Sequence, residues 1–156
     1  MVPRQQNAQL PLFLLLGLLG VVISLHAQLT PAQRFQIKHL NMAHRRCDDA
    51  MRVVNRYRRP CRTQNTFLHT TFADVASVCD TTNVTCHGRR RERNCHRSPR
   101  PVPVTYCNLT RNAHDYRNCR YGQTEDTRIY IIACGNRLPQ DDATYPVVPV
   151  HLDDII

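Results

Sequence analysis

Apolar and polar positions change rhythm along this chain, and each rhythm points to an element. An apolar run fills the sixteen positions from Leu10 to Leu25, with Arg4 before it and the small Ala27 after it. That is the layout of a cleaved secretory signal, short for a membrane span and without stop-transfer charges behind it. It predicts a signal peptide over 1–27 and a single domain over 28–156. Thr30-Pro31-Ala32-Gln33 then reads as a helix start, with Thr30 as N-cap, Pro31 in the first helical position and Gln33 placed for a capping box. The helix runs to about Leu40. Phe35 and His39 are four apart and share a face, so Phe35 anchors that face while His39 stands at its edge. Asp48-Asp49 open a second helix, and Arg56, Arg58 and Arg59 close it before Pro60, each sign of charge at the favourable end of the dipole. Met51 and Val54 form its buried stripe. Phe72, Val75, Ala76 and Cys79 repeat at i, i+3, i+4 and i+7, a short third helix. From there the helical period disappears and β-like runs take over, chiefly 102–109, 128–134 and 147–156. Helices first and strands later predict an α+β domain with an antiparallel sheet.

Composition adds covalent help. The 156 residues less the 27 of the signal leave 129, and all eight cysteines (Cys47, Cys61, Cys79, Cys86, Cys95, Cys107, Cys119 and Cys134) fall in that part. An even count in a small secreted chain reads as four disulfides, and spacing alone leaves roughly 105 pairings open. Cys86-His87 and Cys95-His96 also set thiols beside imidazoles, but their spacing fits no common zinc pattern. Formal net charge is +9, and +8 once Arg4 is gone; Lys38 is the one lysine and every other basic residue is arginine. Such a field attracts polyanions, so RNA, acidic glycans, anionic membranes and microbial surfaces are all candidate partners, beside the plain reading of a solvated surface.

Chemistry concentrates in Cys61-Arg-Thr-Gln-Asn-Thr-Phe67, which runs on to Phe72. It joins a cysteine, a guanidinium at Arg62, a polar strand and a helix start. Asn65 and Thr66 supply donors and acceptors beside the cation, as an anion and base site requires. Histidine is the usual acid and base near neutrality, and His39 and His151 are the distant candidates. On a strand, His151 and Asp153 would share a face, so that the carboxylate fixes the imidazole tautomer. His87-Gly-Arg-Arg-Arg-Glu-Arg-Asn94 is either a basic loop that holds phosphate or a solvated turn. Asn83-Val-Thr and Asn108-Leu-Thr are glycosylation sequons.

Taken together, Phe35-Gln-Ile-Lys-His39, the Cys61–Phe67 stretch, Asn118-Cys-Arg-Tyr121, Pro149-Val-His-Leu-Asp153 and the order of the eight cysteines resemble the pancreatic-type ribonuclease superfamily. The ending Tyr145-Pro-Val-Val-Pro-Val-His-Leu-Asp153 and Ser24-Leu-His-Ala27 of the signal are similar to its eosinophil branch. The resemblance implies a V-shaped antiparallel sheet with three helices and the pairs Cys47–Cys107, Cys61–Cys119, Cys79–Cys134 and Cys86–Cys95. It implies a secreted monomer, stored in leukocyte granules, that cleaves RNA after pyrimidines without metal or cofactor and is bound by the cytosolic ribonuclease inhibitor. His39 would be the base, His151 the acid and Arg62 the phosphate-stabilising cation. Thr66 would read the pyrimidine, Asn94 would hold the base on the leaving side and Asp153 would orient His151. Two positions depart from the family pattern: Arg62 stands for a lysine and Lys38 for a glutamine, so Lys38 becomes a second candidate for the phosphate. The competing class is a cationic antimicrobial protein, binding membranes or glycans, with vestigial ribonuclease activity.

Overall fold

The computed structural model describes residues 28–57, 60–88 and 94–156. The expected signal peptide, Arg58 and Arg59 of the second helix's basic end, and the basic run 89–93 lie outside the described residues. Pro31–Ile156 form a compact unit. Its first helix, α1, spans Pro31–Phe35 and widens into a π-helical turn over Gln36–Leu40, closed by the Asn41 N–H donating to the Gln36 carbonyl at 2.8 Å. The last carbonyls of a helix lack partners within it. That of Lys38 accepts from the Asn65 amide instead, at 2.7 Å, which ties the turn to the strand that carries Asn65.

Helix α2, Cys47–Arg56, buries Cys47, Ala50, Met51, Val54 and Asn55, the stripe that Met51 and Val54 announced. Asp48 sits in its acidic first turn and also accepts the Tyr121 backbone N–H at 2.7 Å. Helix α3, Phe72–Val78, is capped by the Thr71 side chain accepting from the Asp74 N–H, and buries Val75, Ala76 and Val78. Phe72 lies off that stripe. It is half-buried and packs edge-on against Tyr145, ring centroids 5.4 Å apart.

Six strands form two three-stranded antiparallel sheets. One contains β1 (Gln64–Leu68), β3 (Val102–Arg111) and β4 (Arg120–Arg128) in the order β1-β3-β4; the other contains β2 (Cys95–Arg97), β5 (Tyr130–Asn136) and β6 (Val147–Ile155) in the order β2-β5-β6. The β-like runs read from the sequence correspond to β3, β5 and β6. Strand β4 had no apolar rhythm to announce it: Tyr121 is its one buried residue, as expected of a polar strand at a sheet edge. Strand β2 is three residues long, too short for any period.

Phe35, Leu68, Val75 and Val104 share a core with Tyr130 and Ile132, so α1, α3 and both sheets meet there. A second cluster packs Ala50, Met51 and Val54 against Phe67 and Tyr121. Four disulfides join Cys47 to Cys107, Cys61 to Cys119, Cys79 to Cys134 and Cys86 to Cys95. The Cys61–Cys119 bond fixes the chain just before β1 to the chain just before β4, next to Arg62.

Candidate active cleft

Strand β1 lies at a sheet edge, and its register decides what it presents there. Leu109 N–H donates to the Thr63 carbonyl at 2.8 Å and His69 N–H to the Pro103 carbonyl at 2.9 Å. The odd-numbered residues of β1 therefore exchange bonds with β3, and Thr66, paired with Tyr106, turns both its N–H and its carbonyl off the edge. His39 Nδ1 lies 2.8 Å from that carbonyl. A carbonyl only accepts, so Nδ1 carries the hydrogen and Nε2 keeps the free lone pair of a base. The Thr66 N–H faces the same side, where a base edge can meet it.

His39 is 8% exposed, with the Phe35 ring 5.3 Å away. Burial is the main cause that lowers its pKa to about 4; the Thr66 bond opposes the shift, and the charges of Arg62, Lys38 and His151 add to it. The imidazole is thus neutral at pH 7. It is surrounded by cations that disfavour its protonated form until an anion enters.

Arg62 borders the same cleft, of about 380 Å³, with Gln64, Asn65 and Thr66; Tyr106 and Asn108 of β3 and residues 152–155 of β6 complete the lining. Its backbone is held on both sides. Asn55 Oδ1 accepts the Arg62 N–H at 3.1 Å, Asn55 Nδ2 donates to Tyr121 Oη at 2.9 Å, and Tyr121 Oη donates to the Arg62 carbonyl at 2.7 Å. Asn55 is wholly buried, so this ring of bonds from α2 and β4 sets where the guanidinium starts. Sequence reasoning missed Asn55 and Tyr121 as positioning residues; a buried asparagine on the apolar stripe of α2 was the available signal. Asn65 donates its amide to the Lys38 carbonyl, and its buried Oδ1 at the cleft wall has no donor among the described residues.

His39 also borders an adjoining recess, lined by Lys38, Arg34 and His151 among others. His39, Arg62, Asn65 and Thr66 therefore meet in one cleft, and Lys38 and His151 meet His39 beside it. Asp153 is placed differently from the reading of an alternating strand. Register shifts interrupt the β5–β6 pairing between Ala133 and Cys134 and between Ile131 and Ile132, and Asp153 is the unpaired residue of the second. A bulge breaks the two-residue alternation. The Asp153 carboxylate accepts from the backbone N–H groups of His87 at 2.6 Å and Gly88 at 2.9 Å, and its described bonds do not include one to His151. A Cβ on Gly88 would stand 2.8 Å from Asp153 Oδ1, so a side chain there would push the carboxylate aside. Next to it His87 Nδ1 meets Asp154 Oδ2 at 2.7 Å, so two carboxylates of β6 hold the chain at His87 and Gly88. Asn94 borders neither cavity; its amide donates to the Cys134 carbonyl at 3.0 Å.

Among the described residues, the one cluster of potential metal ligands is Cys86, Cys95 and Asp153, and its two sulfurs are bonded to each other. A family model described as pancreatic ribonuclease matches residues 30–153.

Proposed function

Because the chain belongs to the pancreatic ribonuclease family, its activity is that of a ribonuclease and its substrate is RNA, and we propose that it is a secreted endoribonuclease of the eosinophil branch, cleaving after pyrimidines in host defence. His39 Nε2 takes the proton of a ribose 2′-OH, and the 2′-oxygen forms a bond to the adjacent phosphorus. The bond from phosphorus to the 5′-oxygen breaks, and His151 supplies the proton to that oxygen. The product is a 2′,3′-cyclic phosphate, which water opens with the two roles exchanged. Arg62 stabilises the charge that builds on the phosphorane oxygens, with Lys38 near enough to His39 to contribute. Thr66 offers N–H and hydroxyl to the pyrimidine.

The observation that carries this reading is the 2.8 Å contact of His39 Nδ1 with the Thr66 carbonyl, which fixes the tautomer. A buried neutral imidazole with Nδ1–H held by the Thr66 carbonyl leaves Nε2 as a base beside a guanidinium. The test is digestion of an RNA of known sequence by the pure mature protein. New ends bearing a 2′,3′-cyclic phosphate on pyrimidines are expected; 5′-phosphate ends, or cuts after purines, would contradict it. The net charge, +8 once Arg4 leaves with the signal, also supports a second role, in which exposed arginines engage anionic microbial surfaces. If His39→Ala retains full killing of microbes, charge rather than cleavage is the active principle.

A further inference from the structure

One sequon lies inside the cleft and the other does not. Asn108 is exposed on β3 and lines the cavity that holds His39 and Arg62, whereas Asn83 is exposed on the segment between α3 and β2 and lines neither the cleft nor the recess beside it. Asn108 pairs with Gln64 on β1 and with Gly122 on β4. It stands two residues along β3 from Tyr106, the partner of Thr66, so about 7 Å of strand separates it from the level at which a base is read. Its side chain is exposed, so the amide is open to a substituent.

We propose that Asn108 is an N-glycosylation site whose glycan lies over one end of the RNA cleft and limits which RNAs can occupy it. The inference rests on the ribonuclease and secretory readings. In the modifying step the anomeric carbon of a lipid-linked oligosaccharide passes to the Asn108 amide nitrogen. Its bond to the pyrophosphate oxygen breaks, a carbon–nitrogen bond forms, the amide loses one proton and the lipid pyrophosphate leaves. The attached sugar is neutral and bulky. A dinucleotide seated at Thr66 and the two histidines does not reach it, but a longer strand that continues past Gln64 has to pass it. The glycan thus separates short from long substrates by exclusion, without touching the groups that move protons.

The full chain is to be secreted from a cell that glycosylates, and occupancy read from glycopeptides. Thr110→Ala removes the sequon and leaves Asn108 in the cleft; Thr85→Ala removes the Asn83 sequon as a control; trimming the parental protein to a single sugar with an endoglycosidase avoids mutation altogether. The probe is a 2′-deoxy oligonucleotide long enough to run past Asn108, which binds but has no 2′-OH to react. Thr110→Ala and the trimmed parent are expected to bind it about tenfold tighter than the untrimmed parent, the worth of one charge-assisted phosphate contact regained. Thr85→Ala should match the parent, and cleavage of a pyrimidine-purine dinucleotide should agree across all forms within about twofold, since no proton-carrying group changes. An unmodified Asn108 in the secreted protein, or equal oligonucleotide affinity with and without its glycan, overturns the proposal. If no form cleaves the dinucleotide, the ribonuclease reading falls, and the affinity comparison still decides the glycan.

Discussion

His39 combines a structural and a chemical demand in one ring. Its pKa of about 4 against 6.5 for an ordinary imidazole means that the unfolded chain binds a proton there between those values and the folded chain does not. Folding stability is therefore present in full above pH 6.5 and falls as pH drops towards 4, by about 3 kcal/mol for this group. Denaturant titrations of the parent and His39→Phe across that window should show the parent losing stability faster. Lys38 is one of the charges that hold the value down, so Lys38→Gln should move the His39 titration, followed by NMR, to higher pH; no movement would mean that the ammonium faces solvent. Arg62 poses a question of geometry instead. A planar fork has more donors than one phosphate oxygen can use, whereas an ammonium is compact. Arg62→Lys is expected to raise the turnover of RNA and Lys38→Gln to lower it. The double variant should depart from additivity if both cations serve one phosphate.

At the scale of elements, the bonds that matter most join pieces far apart in the chain. Asn55 on α2, Tyr121 on β4 and the Arg62 peptide form one buried polar ring. Asn55→Ala leaves the Arg62 N–H without its acceptor and Tyr121 Oη without a donor, so chemical denaturation should show a loss of about 2–3 kcal/mol. A loss below a few tenths would mean that water replaces the amide. Such a ring is hard to read from the sequence, because Asn55 and Tyr121 are 66 residues apart and Asn55 sits in no motif of its own. What the apolar pattern announced well were the helices, each of which buries one stripe, and the strands β3, β5 and β6, whose apolar runs reach the core. Strand β4 is polar along nearly its whole length, and Asp153 sits in a bulge that no local pattern encodes. The face shared by Phe35 and His39 was legible, because four-residue spacing survives the change from α to π winding well enough to keep the rings in contact. Asp153 should behave as an anchor for the chain at His87 and Gly88. Asp153→Asn is expected to weaken two charge-assisted bonds and speed proteolysis between Cys86 and Cys95. Unchanged proteolysis would argue against the anchor.

For the whole molecule, three disulfides close long segments, with sequence separations of 60, 58 and 55 residues, and each bond restricts the unfolded chain by about 4 kcal/mol on the loop-closure estimate. They hold two small sheets and three helices so that residues 112 positions apart, His39 and His151, border one recess. A net charge of +8 without the signal attracts RNA, and association should weaken steeply with salt because each neutralised phosphate releases roughly one counterion. Two histidines acting on one RNA linkage is the central claim, and cleavage by His39→Ala and His151→Ala tests it most directly. Each variant, folded and free of contaminating ribonuclease, should cleave RNA about 10²–10⁴-fold more slowly than the parent, the usual contribution of a positioned acid or base. Near-parental cleavage by either variant would contradict the two-histidine mechanism.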